Sequence, residues 1–285
     1  MRYGWSKPYH SDRVHFPGAL GLSLPALTIF VMFLTVYLFS LLGNTLIIFI
    51  ILMDPTIQTP MYTFLGKMSL EIWYMTATMP KLLTTCLSKA VIISVSTCIP
   101  QLYFFFSMGA TECILLAVMA YDQYVAICSP LCYTFLMYAH ISLKFSSGSW
   151  IGGFSATLAS TIFVSHLNFC GPQKISHFFC DSDPVFKLSC SDTFFVEALA
   201  YTCSSVVILC SLLLTFSSYA NIVATVVKVA SQEAQKKSFS TCASHLTVVT
   251  ISYGTIIFAY VSPLAKHNFT IGKVMSVFYC GSPLW

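Results

Sequence analysis

The stretch Met119-Ala120-Tyr121-Asp122-Gln123-Tyr124-Val125-Ala126-Ile127-Cys128 closes a long apolar run that begins near Ser96. About 20 apolar residues suffice to cross the hydrocarbon core of a bilayer. The run is longer than that, and Glu112 is its only charge before Asp122. It therefore reads as a membrane crossing, with the decamer as its polar, cytoplasmic end. Working outward, the stretch between Arg13 and Asp54 holds no charged residue, which predicts a first crossing over about 24–52. A second is expected over 60–83, containing Lys67 and Glu71, and the decamer ends the third, over 96–128. A fourth, over 141–164, is rich in small residues (Gly152, Gly153, Ala156, Ala159) that let helices approach closely. A fifth is expected over 198–227 and a sixth over 238–262. A partial seventh is expected over 271–284. Only residues 274–285 follow Lys273, too few for a full crossing.

Composition points the same way. Of 285 residues, 56% are hydrophobic and 8% charged, and the mean hydropathy is +0.78. Soluble domains carry roughly 25% charged residues, so a single all-α integral membrane domain over 1–285 is the expectation. The net charge of +4 is not gathered into a basic tract, which argues against nucleic acid as a partner. No cleavable signal peptide is evident. No nucleophile, base and orienting group occur together, so an enzyme is not expected. A transporter or channel is the reading from another class, but no inverted repeat or pair of broken helices supports it.

Most of the 12 cysteines lie in apolar runs, and Cys113, Cys203, Cys210 and Cys242 read as small buried packing residues. Cys98, Cys170, Cys180 and Cys190 stand apart, at one end of the third run and in the loop after the fourth. Four cysteines allow three pairings, and the spacing does not choose among them. Orientation is contested within the sequence. Lys and Arg are more numerous on the amino-terminal face, which by the positive-inside rule would be cytoplasmic. Disulfides persist on the opposite, extracellular side. We weight the cysteines above the charge count and place the N-terminus outside.

The decamer resembles the M-A-Y-D-R-Y-V-A-I-C signature of vertebrate olfactory receptors, which are rhodopsin-like G-protein-coupled receptors. Gln123 stands where that family carries arginine. Further matches follow in order: Gly43-Asn44, Pro60-Met61-Tyr62, Ser69 and Glu71, Met79-Pro80-Lys81, Trp150, Ser218-Tyr219, and Lys237-Ser238-Phe239-Ser240-Thr241-Cys242-Ala243-Ser244-His245-Leu246. Together they cover most of the chain, from about Gly43 to Tyr279.

The resemblance implies a seven-helix receptor bundle, here with an incomplete seventh helix, at the plasma membrane. It implies an odorant receptor that binds small volatile ligands and couples to a heterotrimeric G protein of the stimulatory olfactory type. It implies bridges Cys98–Cys180 and Cys170–Cys190. For the ligand cavity it implies Phe105, Phe106, Gly109 and Ala110 on the third helix and Cys203, Ser204 and Val207 on the fifth. Tyr253, Ile256 and Tyr260 on the sixth complete that set. Asp122, Gln123, Tyr124, Tyr219, Lys236 and Lys237 are the implied coupling residues. Glu71 and Glu112 match acidic positions that face each other, where either Na⁺ or a shared proton can sit; no other cofactor is implied. Lys67, one turn from Glu71, could displace such a cation. Asn268-Phe269-Thr270 is the sole glycosylation sequon. Gln123 cannot make the charge-assisted contacts of arginine, so a degenerate, non-signalling receptor stands beside a working one.

Overall fold

The computed structural model describes residues 13–16, 24–53, 64, 66, 91–137, 139–169, 185–186, 188–229 and 231–261. The expected second crossing apart from Phe64 and Gly66, the partial seventh and the sequon at Asn268 lie outside these residues, as do Lys67, Glu71, Cys170 and Cys180. Six helices are described: α1 (Leu24–Met53), α2 (Val95–Cys128), α3 (Pro130–Leu136), α4 (Ala139–Ser165), α5 (Phe194–Val226) and α6 (Gln232–Val261). Thus α2, α4, α5 and α6 occupy the places of the expected third to sixth crossings. Segments within α1, α2 and α5 are long and apolar enough to cross a membrane by length and composition. The helices α4 and α6 are long enough but carry more polar residues.

Several helix ends differ from the sequence expectation, and local chemistry explains them. The expected fifth crossing starts at 198, but α5 begins at Phe194. Asp192 accepts the Phe194 N–H at 3.0 Å, and the Thr193 hydroxyl donates to Glu197 at 2.5 Å. An acidic residue in a first helical turn is favoured by the helix dipole, so Glu197 belongs inside the helix although a charge-avoiding reading excludes it. Likewise α6 begins at Gln232 rather than 238, through a polar turn holding Glu233 and Lys236. The short α3 starts with Pro130, whose missing N–H costs nothing in a first turn.

One small sheet adds to the helices. Strand β1 (Arg13–Phe16) pairs antiparallel with β2 (Val91–Ser94), with Arg13 opposite Ser94 and Phe16 opposite Val91. It ties the amino-terminal segment to the residues just before α2. Nearby, the loop after α4 folds back: Phe169 bridges Ser189, and the Cys190 N–H donates to Asn168 O at 2.8 Å.

In lipid, burying apolar surface between helices brings little net gain, because the tails are as apolar as leucine. Close van der Waals packing and interhelical hydrogen bonds must hold the bundle. Among the described glycines, the closest helix approach is between α2 and α4, at Gly153. A Cβ placed there would collide with Thr111 Oγ1, and would stand 2.7 Å from Thr111 N and 2.9 Å from Ser107 O. Glycine is required at that crossing. One turn on, Ser107 and Thr157 share a buried hydroxyl–hydroxyl bond of 2.5 Å, and Tyr103 donates to Phe154 O at 3.3 Å. Many outward-facing positions are large and apolar, among them Phe39, Leu42, Ile151, Leu213 and Phe216. Cys210 belongs with these rather than with the core: it is exposed. In a bundle solvated by lipid, an apolar setting does not distinguish the inside from the outside.

Candidate functional site

A cavity opens among α2, α4 and α5. The space not filled by atoms is about 870 Å³, its open mouth included. Phe106, Gly109 and Ala110 form its α2 wall, Cys203, Ser204 and Val207 its α5 wall, and Ile256 is its contact with α6. Seven of the sequence-derived cavity residues therefore meet there. Phe105 does not; its ring packs edge-on against Phe106 with centroids 5.4 Å apart. Tyr253 lies beneath the cavity, buried with Cys113, Leu116, Val249 and Ile256, and its hydroxyl donates to Cys113 O at 3.3 Å. The side chain of Tyr260 is outside the described residues. Cys203, expected as buried packing, is half-buried and faces the cavity.

The sequence reading missed the fourth wall. Ala156, Thr157, Ser160, Thr161 and Val164 of α4 line the cavity. The signal was present, since Thr157, Ser160, Thr161 and Val164 are spaced i, i+3, i+4, i+7 on one helical face. Above the cavity, Phe186 of the cysteine-bearing loop reaches into the lining. It is anchored in a cluster of Cys98, Leu102, Val164, Val185, Leu188 and Val196. Cys98 and Cys190 are both disulfide-bonded; the implied partners Cys180 and Cys170 lie outside the described residues.

At the opposite end, α2, α5 and α6 meet around Gln123. The Tyr219 hydroxyl donates to Gln123 Oε1 at 2.8 Å and lies 2.5 Å from His245 Nδ1. A phenol has one hydrogen to give. With that hydrogen on Gln123, His245 must donate through Nδ1–H, leaving Nε2 as an acceptor. That nitrogen is buried with no hydrogen-bond partner among the described residues. Ala120, Tyr219, Ile222, Val226 and Cys242 pack around this clasp, with Tyr124 half-buried against them. Asp122 is buried and accepts the Tyr133 hydroxyl of α3 at 3.2 Å. Burial, followed by the adjacent Asp122 charge, pushes the Tyr133 hydroxyl well above the usual phenolic range. Lys236 is exposed, and the Lys237 side chain is outside the described residues.

A cavity capped by a disulfide-bonded loop at one end, and a three-helix polar clasp at the other, is the layout of a ligand-driven receptor bundle. The olfactory receptor family model matches residues 33–281. The chain belongs to the olfactory receptor family. Among its relatives, human olfactory receptor 6P1 is 43% identical over 254 residues, covering 89% of this chain and 80% of that protein. Human olfactory receptor 6B1 is 44% identical over 267 residues, covering 93% and 84% respectively. Olfactory receptor 226 of Rattus norvegicus is 43% identical over 278 residues, covering 95% and 85%. Family membership makes this receptor a multi-pass plasma-membrane protein that receives odorants and works with a G protein; it is not an enzyme.

Glu112 of the receptor is buried and accepts the Ser252 hydroxyl at 3.1 Å. Its expected partner Glu71 lies outside the described residues. Among the described residues, no three His, Cys, Asp or Glu side chains are grouped to hold a metal ion.

Proposed function

We propose that this odorant receptor holds its ligand in the cavity beneath Phe186 and reports occupancy through Ile256 to the Gln123–Tyr219–His245 clasp. The observation that carries this is continuity. Ile256 lines the cavity and packs on Tyr253, while His245, on the same helix, bonds Tyr219. A ligand that contacts Ile256 better in one arrangement of α6 than in another shifts the equilibrium between them. Moving the His245 end of α6 outward breaks the bond to Tyr219 and opens Asp122, Gln123 and Tyr124 to a G protein that Lys236 and Lys237 also meet.

The ligand is small and neutral, since none of the described residues lining the cavity is charged. The cysteine-bearing end faces outside, and the N-terminus with it; the disulfide-bonded state of Cys98 and Cys190 supports this side. Sodium, where it binds, is held by Glu71 and Glu112. The Ser252 hydroxyl beside Glu112 adds an oxygen donor of the kind hard cations take.

Gln123 favours a second reading, a receptor that binds but does not signal, because its amide carries no charge. Nucleotide exchange by a stimulatory G protein, measured with the purified receptor in lipid nanodiscs and a broad set of odorants, separates the two. Odorant-dependent exchange by the native chain supports a signalling receptor. A response seen in Gln123→Arg but absent from the native chain supports the silent one. No response in either, with no ligand-induced stabilisation, refutes the cavity assignment.

A further inference from the structure

The α4 wall of the cavity displays hydroxyls whose hydrogens are already committed. Ser160 Oγ donates to Thr157 O at 2.9 Å, and Thr161 Oγ1 donates to the same carbonyl at 2.9 Å. Thr157 Oγ1 shares its bond with Ser107 and also lies 3.3 Å from Gly153 O. A hydroxyl has one hydrogen and two lone pairs. Towards the cavity, Ser160 and Thr161 therefore offer lone pairs and no donor. Ser160 and Thr161 are half-buried and line the same cavity as Ser204 on α5. The Ser204 hydroxyl makes no hydrogen bond among the described residues, so it remains able to donate.

From this asymmetry we infer that Ser160 and Thr161 form an acceptor subsite that selects ligands bearing a hydroxyl. The ligand O–H donates to the α4 oxygens, and its lone pair accepts from Ser204. An isomeric ether has no hydrogen to give the α4 wall. It leaves the lone pairs of those oxygens facing apolar surface, without the accepted hydrogen bond that offsets their desolvation. The inference rests on the cavity being the ligand site and names the ligand class that site takes.

The test uses the whole purified receptor in lipid nanodiscs and pairs of isomers with equal volume, such as n-octanol and heptyl methyl ether, across medium chain lengths. The concentration giving half-maximal thermal stabilisation is measured for each. The alcohols are expected to act at about tenfold lower concentration than their ethers, the size of one net hydrogen bond. In Ser160→Ala/Thr161→Val that gap closes to less than about twofold. Ser165→Ala removes a comparable helix back-bond, to Ile162 O at 2.6 Å, outside the cavity lining, and keeps the gap. Equal potency of alcohol and ether in the native chain overturns the subsite but leaves the cavity reading standing, and so does a gap that survives the double variant. Absence of stabilisation by every isomer overturns the cavity reading, and the subsite with it.

Discussion

Gly153→Ala is the most exacting test of the packing, because the structure fixes both the sign and the size of its effect. The added methyl would collide with Thr111 Oγ1 and would stand 2.7 Å from Thr111 N and 2.9 Å from Ser107 O, where ordinary contact begins at 3.4 Å. Two of these three obstacles are backbone atoms of α2, which cannot rotate away. The helices must separate by roughly half an ångström or more, against a normal interaxial distance of about 8–10 Å. Overpacking of this kind costs about 1–3 kcal/mol. Separation also stretches the buried Ser107–Thr157 bond, worth about 1 kcal/mol. Alanine returns about 1 kcal/mol through helix propensity. The net loss is about 1–3 kcal/mol, a fall of several degrees on a scale of about 2–4 °C per kcal/mol for chains of this size. Thermal unfolding of purified protein reads it, with Gly148→Ala as the control. A Cβ at Gly148 meets nothing within 4 Å, so that variant should match or slightly exceed the native chain. Equal stability of Gly153→Ala and Gly148→Ala would refute the α2–α4 contact.

Tyr219→Phe removes the bond to Gln123 and the bond to His245 at once, in a buried setting where neither is replaced by water. A stability loss of about 1–3 kcal/mol, together with raised basal nucleotide exchange, is expected; unchanged basal exchange would show that the clasp holds nothing shut. Sodium should raise the melting temperature of the native receptor, and Glu112→Gln should abolish that rise. If the rise persists in Glu112→Gln, Glu112 is not an ion ligand. Lys67→Asn should enlarge the sodium effect, and an unchanged effect would mean that Lys67 does not compete with the cation.

The membrane class and the family were legible in the sequence because apolar length and ordered motifs each leave a linear trace. Helix ends were less so. Glu197 and Glu233 fall inside helices that a charge-avoiding reading begins later, since helices extend past the apolar core and stabilise acidic first turns. Seven cavity residues could be placed from the resemblance. The α4 wall could not, because the small residues Gly152, Ala156 and Ala159 drew attention to packing while the hydroxyl face beside them went unread. Phe186 was beyond reach for another reason: a loop residue's position over the bundle depends on its cysteine anchors and not on any period. Gln123 shows the reverse case. Its type was plain and its loss of charge predictable, but its partner Tyr219, and the His245 that Tyr219 bonds in turn, come from helices distant in sequence.

The thiol of Cys203 gives the most direct test of the central claim that odorants occupy this cavity. Cys203 is unpaired and lines it, whereas Cys210, two turns along α5, is exposed and does not line the cavity. Site-resolved mass spectrometry should follow modification of both by a small uncharged methanethiosulfonate. A ligand that stabilises the receptor should slow labelling of Cys203 by about tenfold or more, the occupancy expected at ten times its Kd, and leave Cys210 unchanged. Equal labelling rates at Cys203 with and without such a ligand would contradict the account.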